Sequence, residues 1–331
     1  MSIVKKLLVT AAMTAAMMVS AAHADPVKIG LVVKSLGNGF FEAADKGAKE
    51  AAKELGDVEI IYTGPTSTTA EGQIEVINAL IAQNVDAIAI SANDPDAVIP
   101  ALKKAAQRGI KVISWDSGVA KEGRIVHLNP SSNALIGKMC LQLAAAHLPE
   151  GKGDFAILSA TTTSTNQNIW IEEMKKQLAD FPGLNLVTTV YGDDLADKSY
   201  REAQGLLTSQ PNVKVIVAPT TVGVLAASQA VADAKKIGDV YVTGLGLPSE
   251  MAGAIKSGAT KEFAIWNPID LGYSATQIAY RLVKGEADGA PGSEIEAGRM
   301  GKIKVDENGE AAMSDPFVYD ASNIDEFSKI F

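Results

Sequence analysis

Cysteine is almost missing from this chain of 331 residues: Cys140 stands alone. A single thiol closes no internal disulfide, so stability has to come from a large apolar core. Histidine is nearly as scarce, at three residues. One of them, His23, lies near the N-terminus, which leaves His127 and His147. Such a set offers no Cys/His cluster with zinc spacing, so neither a metal nor another cofactor is expected. Neither histidine has a recognisable acid or nucleophile partner, so neither is read as catalytic. His147 is expected on the outer face of a helix. Positive charge is in deficit as well: 30 Lys and Arg stand against 39 Asp and Glu, for a formal charge of −9. That balance disfavours nucleic acid or an anionic membrane surface as a partner.

The common enzyme signatures are absent too. Gly37-Asn38-Gly39 lacks the further glycine of a dinucleotide loop. The chain contains no Gly-x-x-x-x-Gly-Lys-Ser/Thr phosphate loop and no Gly-x-Ser-x-Gly nucleophile elbow. An enzyme is therefore not expected. No Pro/Ser/Gly-rich linker, short repeat or low-complexity stretch divides the chain.

What the chain does have begins at its N-terminus. Lys5 and Lys6 precede an apolar run from Leu7 to about Val19, and Ala22-His23-Ala24 forms a small-x-small cleavage box. The run falls short of the roughly 20 residues that span a bilayer. Residues 1–24 are read as an export signal cleaved after Ala24, with the mature protein working in the periplasm. Loss of the two lysines takes the formal charge from −9 to −11.

After the leader, strands and helices alternate. Val27–Val33, Val58–Tyr62, Asp86–Ser91 and Lys111–Trp115 read as strands. Helical patterns over Phe40–Leu55, Ala70–Gln83 and Asp96–Arg108 separate them, the last stopped by Gly109. The cadence restarts beyond a short junction at Arg124–Pro130. Helix Asn133–Leu148 leads into strands Asp154–Ser159, Asn185–Val190, Val213–Ala218 and Val240–Gly244. Helices near Asn168–Ala179, Lys198–Ser209, Val222–Ala234 and Glu250–Ser257 fill the gaps, and Phe263–Trp266 and a helix over Leu271–Lys284 follow. Such alternation means right-handed crossovers on parallel sheets. The expected fold class is α/β, with two doubly wound parallel-sheet lobes joined by a multi-strand hinge. The expected first lobe is 25–128 plus 267–295, and the second is 129–266 plus 296–331.

In open α/β sheets ligands bind beyond the carboxyl ends of the strands. The residues placed there are Lys34, Phe40 and Phe41 in the first unit, then Asn93, Trp115 and Asp116. The second unit contributes Asn166, Gln167, Pro219, Thr221 and Leu245, and the last strand contributes Trp266 and Asn267. Carboxylate, amide and hydroxyl groups of this kind pair with adjacent sugar hydroxyls, and aromatic rings cover an apolar sugar face. Two of these residues admit structural roles on sequence grounds. Trp115 follows an apolar strand and reads equally as core, and Asn166 reads equally as a helix cap. Asp116, at a strand end before Ser-Gly, makes the strongest claim.

These features together resemble the periplasmic sugar-binding proteins of type I fold, the ribose-binding-like substrate subunits of ABC importers. The resemblance rests on the leader, the doubled α/β unit, Val-Asp-Ala-Ile-Ala-Ile-Ser at 85–91, and the run at 101–113 that ends in Trp-Asp-Ser. It covers essentially the whole mature chain. Within the family the chain is similar to the rhizobial rhamnose-binding protein. It is also similar to the autoinducer-2-binding protein, through Gly39-Phe40-Phe41, Gly64-Pro65-Thr66, Trp115-Asp116-Ser117, Asn166-Gln167-Asn168 and Thr260-Lys261-Glu262-Phe263. The resemblance implies that Lys34, Asp116, Gln167 and Pro219 hold the ligand. Two positions depart from the autoinducer-2 receptor: Asn166 stands for an aspartate and Thr221 for an alanine. These changes, with the amides of Asn93 and Asn267, point to a monosaccharide with ring hydroxyls and one methyl, such as L-rhamnose. The alternative is an autoinducer-2 receptor. The implied partners are an ABC permease in the inner membrane and, as a second docking partner, a chemoreceptor. A monomer is expected.

Overall fold

A computed structural model describes residues 25–331; the expected leader, residues 1–24, lies outside the described residues. The first sheet is built from β1 (Val27–Val32), β2 (Val58–Thr63), β3 (Ala87–Ile90), β4 (Lys111–Trp115) and β5 (His127–Asn129). Its helices are α1 (Gly39–Leu55), α2 (Ala70–Ala82) and α3 (Ile99–Gln107). The second unit runs α4 (Asn133–His147), β6 (Gly153–Ser159), α5 (Thr165–Gln177), β7 (Leu184–Tyr191), α6 (Ala196–Ser209), β8 (Val213–Ala218), α7 (Thr221–Asp233), β9 (Tyr241–Gly244), α8 (Pro248–Ser257) and β10 (Glu262–Ile265). The chain closes with α9 (Pro268–Lys284), β11 (Glu294–Glu296), β12 (Lys302–Lys304), β13 (Glu310–Ala312), β14 (Phe317–Asp320) and α10 (Ile324–Phe327).

Two doubly wound sheets result, the type I periplasmic-binding-protein fold. The first has strand order β13-β5-β4-β3-β1-β2, and the second has order β7-β6-β8-β9. A parallel bridge from Leu245 to Ala264 extends the second sheet towards β10, which pairs antiparallel with β14. Burial follows position in the sheet. The inner strand β3, Ala-Ile-Ala-Ile, is buried at every residue, because helices cover both of its faces. The outer strand β2 is only half-buried along most of its length.

The chain crosses between the lobes at 130–132, between β5 and α4, and again at 266–267, between β10 and α9. The sequence division at 295/296 places everything after it in the second lobe, and the structure corrects this. β13 pairs in parallel with β5, Glu310 opposite His127, so residues 310–312 belong to the first sheet. The third crossing comes at 313–316, and only β14 and α10 return to the second lobe. The first and third crossings are tied together, since the backbone N–H groups of Met313 and Ser314 donate to the carbonyls of Asn129 and Pro130.

α9 is the most buried helix of the first lobe, with 13 of its 17 residues inside. Asn267 caps its start, its Oδ1 accepting from the Ile269 amide, and Gly285 ends it in the left-handed region at φ 70°. It lies against α1 at a distance that side chains do not permit. A Cβ on Gly47 would meet the Ile269 carbonyl oxygen at 1.7 Å, and one on Gly272 would meet that of Ala44 at 1.9 Å. Among the described residues no helix is long and apolar enough to cross a membrane.

The candidate ligand cleft between the lobes

The carboxyl ends of both sheets face one another, and the helices that start there aim their amino ends into the gap. Lys34 follows β1, Asp116 follows β4, and Pro219 and Thr220 follow β8. The first turns of α1, α5 and α7 supply Phe40 and Phe41, Asn166 and Gln167, and Thr221. The positive ends of three helices therefore converge on the gap, an arrangement that favours ligand oxygens. The centre of a water molecule reaches about 40 Å³ of the space enclosed there. It is a narrow slot.

One wall is polar. Lys34 is buried, and its Nζ donates to Ser164 Oγ at 2.7 Å and to Asn166 Oδ1 at 3.0 Å. Asp116 accepts from Ser91 Oγ at 2.7 Å and, through its other oxygen, from Asn166 Nδ2 at 2.9 Å. Asn166 thus joins a cation and a carboxylate of the opposite lobe, using both ends of its amide. It sits in the first turn of α5 rather than before the helix, because α5 begins at Thr165, three residues earlier than the pattern from Asn168 suggests. Gln167 Oε1 accepts from Ser159 Oγ and the Ala160 amide, which leaves Nε2 as the donor still to be used. Further bonds cross the gap: Thr163 Oγ1 to the Asn93 carbonyl, Thr165 Oγ1 to that of Gly118, and Thr68 Oγ1 to that of Asp193. The lobes stand in the closed arrangement.

The other wall is apolar. Phe40, Phe41, Leu245 and Trp266 line it, joined by Trp170 and Ile265. The aromatic rings meet edge to face, Phe40 with Trp266 at 6.1 Å and Trp170 with Trp266 at 5.5 Å between centroids.

Three residues read from sequence as site residues stand outside the lining. The Asn93 side chain is spent on backbone, its Nδ2 donating to the carbonyls of Lys34 and Thr69. Trp115 is fully buried behind Phe41, with ring centroids 5.8 Å apart. Asn267 caps α9, and its Nδ2 donates to Asp270. In the other direction, the cavity is lined by Asn38, Trp170, Asp194, Thr220 and Ile265, which the sequence reading passed over. Asp194 matters most chemically. Its carboxylate accepts from Thr220 Oγ1, and it lies three residues past the end of β7. Asp116, Asp193 and Asp194 all have left-handed backbone, at φ 56°, 57° and 54°. Aspartate tolerates that region because its short side chain bonds locally. Clustering of such residues marks sites held in place by their surroundings.

Burial pushes the Asp116 and Asp194 carboxyls above the usual carboxylate range, and Lys34 draws both back down. Hydrogen bonds to Asp116 from Ser91 and Asn166 act in the same sense as Lys34. Two acids share one ammonium, so the slot is set to receive hydroxyl donors rather than an anion. Among the described residues no group of three or more His, Cys, Asp or Glu is placed to hold a metal ion.

A two-lobed shell with a polar slot at its hinge defines a binding protein that closes on a small solute. The match to the family model "Periplasmic binding protein domain" spans residues 29–287, and the chain belongs to that family. Among curated relatives, it is 30% identical over 236 residues to the D-ribose/D-allose-binding protein of Pseudomonas aeruginosa, covering 68% of this chain and 73% of the relative. Among solved structures, an ABC transporter solute-binding protein of Clostridium phytofermentas with bound L-rhamnose superposes with a TM-score of 0.88 at 38% identity, covering 93% of this chain and all of that one. LsrB of Clostridium saccharobutylicum in complex with AI-2 superposes with a TM-score of 0.85 over 91% of this chain and 99% of that one. At 24% identity this second likeness is one of fold.

Proposed function

We propose that this protein is the periplasmic substrate-binding subunit of an ABC sugar importer and that its ligand is L-rhamnose. The division of the cavity into two walls carries the reading. A deoxy sugar offers hydroxyls on one side and a methyl with C–H faces on the other. Lys34, Asp116, Asn166, Gln167 and Asp194 match the first, and Phe40, Phe41 and Trp266 match the second. The 38% identical neighbour with bound L-rhamnose supports the same choice. Asn166 departs from the aspartate of the autoinducer-2 receptor, and its amide donates to Asp116 where a carboxylate could only accept.

In this reading the sugar enters an open cleft, and bonds from both lobes form together only on closure. Ligand thereby shifts the population towards the closed form through differential affinity. The closed form then docks, as a monomer, on an inner-membrane permease, with a chemoreceptor as a second docking partner. The leader, residues 1–24, would direct export and be removed by cleavage after Ala24. The sugar leaves the cleft chemically unchanged.

The test is thermal unfolding of refolded mature protein against a sugar panel, followed by calorimetry. A saturable rise in midpoint with L-rhamnose, and none with D-ribose or autoinducer-2, is expected. A response to autoinducer-2 alone overturns the sugar reading. Asp116→Ala should fold and lose at least about tenfold in L-rhamnose affinity, since a ligand hydroxyl would be left buried and unpaired. Unchanged affinity would remove Asp116 from the site.

A further inference from the structure

Behind the cavity wall a chain of side-chain hydrogen bonds runs to the crossing points. Trp170, which lines the slot, donates its indole Nε1–H to Asn133 Oδ1 at 2.8 Å. Asn133 is the first residue of α4, directly after the first crossing. Its Nδ2 donates to Asn129 Oδ1 at 3.3 Å, reaching back over the crossing to the last residue of β5. Asn129 Nδ2 donates to Glu310 Oε2 at 2.8 Å, on the strand that leads into the third crossing. His127 closes the set. Asn129 Oδ1 only accepts, so His127 Nε2 carries the proton at 3.1 Å, and His127 Nδ1 accepts from Ser114 Oγ at 2.9 Å. Every bond in the chain has one donor and one acceptor, and both amide orientations are fixed by their neighbours.

The chain's three tryptophans set Trp170 apart. The indole N–H groups of Trp115 and Trp266 are buried without a hydrogen-bond partner, whereas that of Trp170 is bonded to a residue at the hinge. The ring plane of Trp170 in the cavity wall is therefore referred to the pivot of the two lobes.

We propose that Asn133, which does not line the cavity, is a positioning residue for ligand binding. It fixes the ring of Trp170 through its Oδ1 and ties that ring to the first lobe through its Nδ2. The inference rests on the sugar-binding reading only for its effect on affinity. Its structural half is readable without sugar.

The experiment uses the mature protein with 15N-labelled indoles, the Trp170 signal being assigned with Trp170→Phe. In the sugar-free protein, Asn133→Ala should move the Trp170 indole signal and speed its hydrogen exchange, leaving those of Trp115 and Trp266 in place. Asn129→Ala, which does not touch Trp170, should move the same signal by a smaller amount. Asn133→Asp keeps the acceptor for Trp170 but presents an oxygen to Asn129 Oδ1. It is nearly isosteric, so it serves where the alanine variant folds poorly. In calorimetry with L-rhamnose, Asn133→Ala should lose about tenfold in affinity, the scale of one hydrogen bond, and Asn133→Asp less. An unmoved Trp170 signal in Asn133→Ala overturns the proposal, and so does a moved signal with wild-type affinity. If wild-type protein binds no sugar of the panel, the functional reading fails and the indole signals alone decide. Insensitivity of Trp170 to Asn129→Ala would then overturn the link to the hinge.

Discussion

At the residue scale, Asn166 shows how one amide does what neither a carboxylate nor an aliphatic group can. It accepts from Lys34 and donates to Asp116, so charges of opposite sign on the first lobe are bridged by a neutral group on the second. Asn166→Asp would set two carboxylates against each other. Affinity for L-rhamnose should fall about tenfold at pH 7.5 and recover towards pH 5, where a proton shared by the pair restores the donor. Calorimetry at the two pH values checks this, and wild-type protein should lack the recovery. His147 offers a second test. Sequence placed it at the surface, yet it is 1% exposed, its Nδ1 facing the Leu143 carbonyl and its Nε2 accepting from the Lys261 amide. Burial holds its pKa down at about 4, and burial with the nearby Arg124 charge holds His127 at about 3. A lowered histidine pKa gives stability that is complete above pH 6.5 and lost as the pH falls towards the folded value. The raised pKa values of Asp116 and Asp194 act in the opposite sense, being lost as the pH rises, so the comparison must be between variants. His147→Gln should be less stable than wild type at pH 7. Urea denaturation should show that deficit shrinking between pH 6.5 and 4, by up to about 1.4 kcal/mol per pH unit. A constant deficit would mean that His147 is not held neutral.

At the element scale, the pairing of α1 with α9 depends on two absent side chains. Gly47→Ala or Gly272→Ala would put a methyl against a backbone carbonyl of the other helix, where no rotamer gives relief. Each should cost about 1–3 kcal/mol or more and lower the thermal midpoint by several degrees. Gly205→Ala, where an added Cβ meets nothing within 4 Å, is the control. The sheet elements divide by how much signal their residues carry. β3 was legible as a continuous apolar run, and β1 and β8 as apolar runs broken only by Lys28 and Lys214 near their starts, because both of their faces are largely covered. From them followed Lys34 and Pro219, each placed just beyond a strand. Asp116 followed from β4 in the same way. β13 is Glu-Ala-Ala, three residues of low strand preference, and only its partner β5 makes it a strand. Asp194 lies past the end of β7 in an Asp-Asp-Leu turn, and the doubled aspartate was the available signal. Trp170 looked like ordinary helix core, although it follows Gln167 by three residues and so shares its face. The role of Asn93 was invisible because it depends on which carbonyls the folded chain brings to its amide.

At the scale of the whole molecule, three crossings near one another confine the lobes to a hinge motion, and the bonds across the slot define its closed end. Small-angle scattering of the refolded mature protein should show a smaller radius of gyration when L-rhamnose is saturating, and Asn166→Asp should respond less at pH 7.5. A radius unchanged by a sugar that calorimetry shows to bind would exclude closure as the response. The order in which the lobes are written along the chain has a separate consequence. The second lobe is nearly contiguous, from α4 to β10, and lacks only β14 and α10. The first is interrupted: α1 waits for α9, and β5 waits for β13, whose residues lie some 180 positions later at 310–312. A chain emerging from its N-terminus therefore carries an uncovered apolar face on its first lobe until almost all of it has appeared. Premature compaction of that lobe is unfavourable for the same interval. If the chain is exported before it folds, as the proposed leader implies, the interrupted order would act as a delay built into the connectivity.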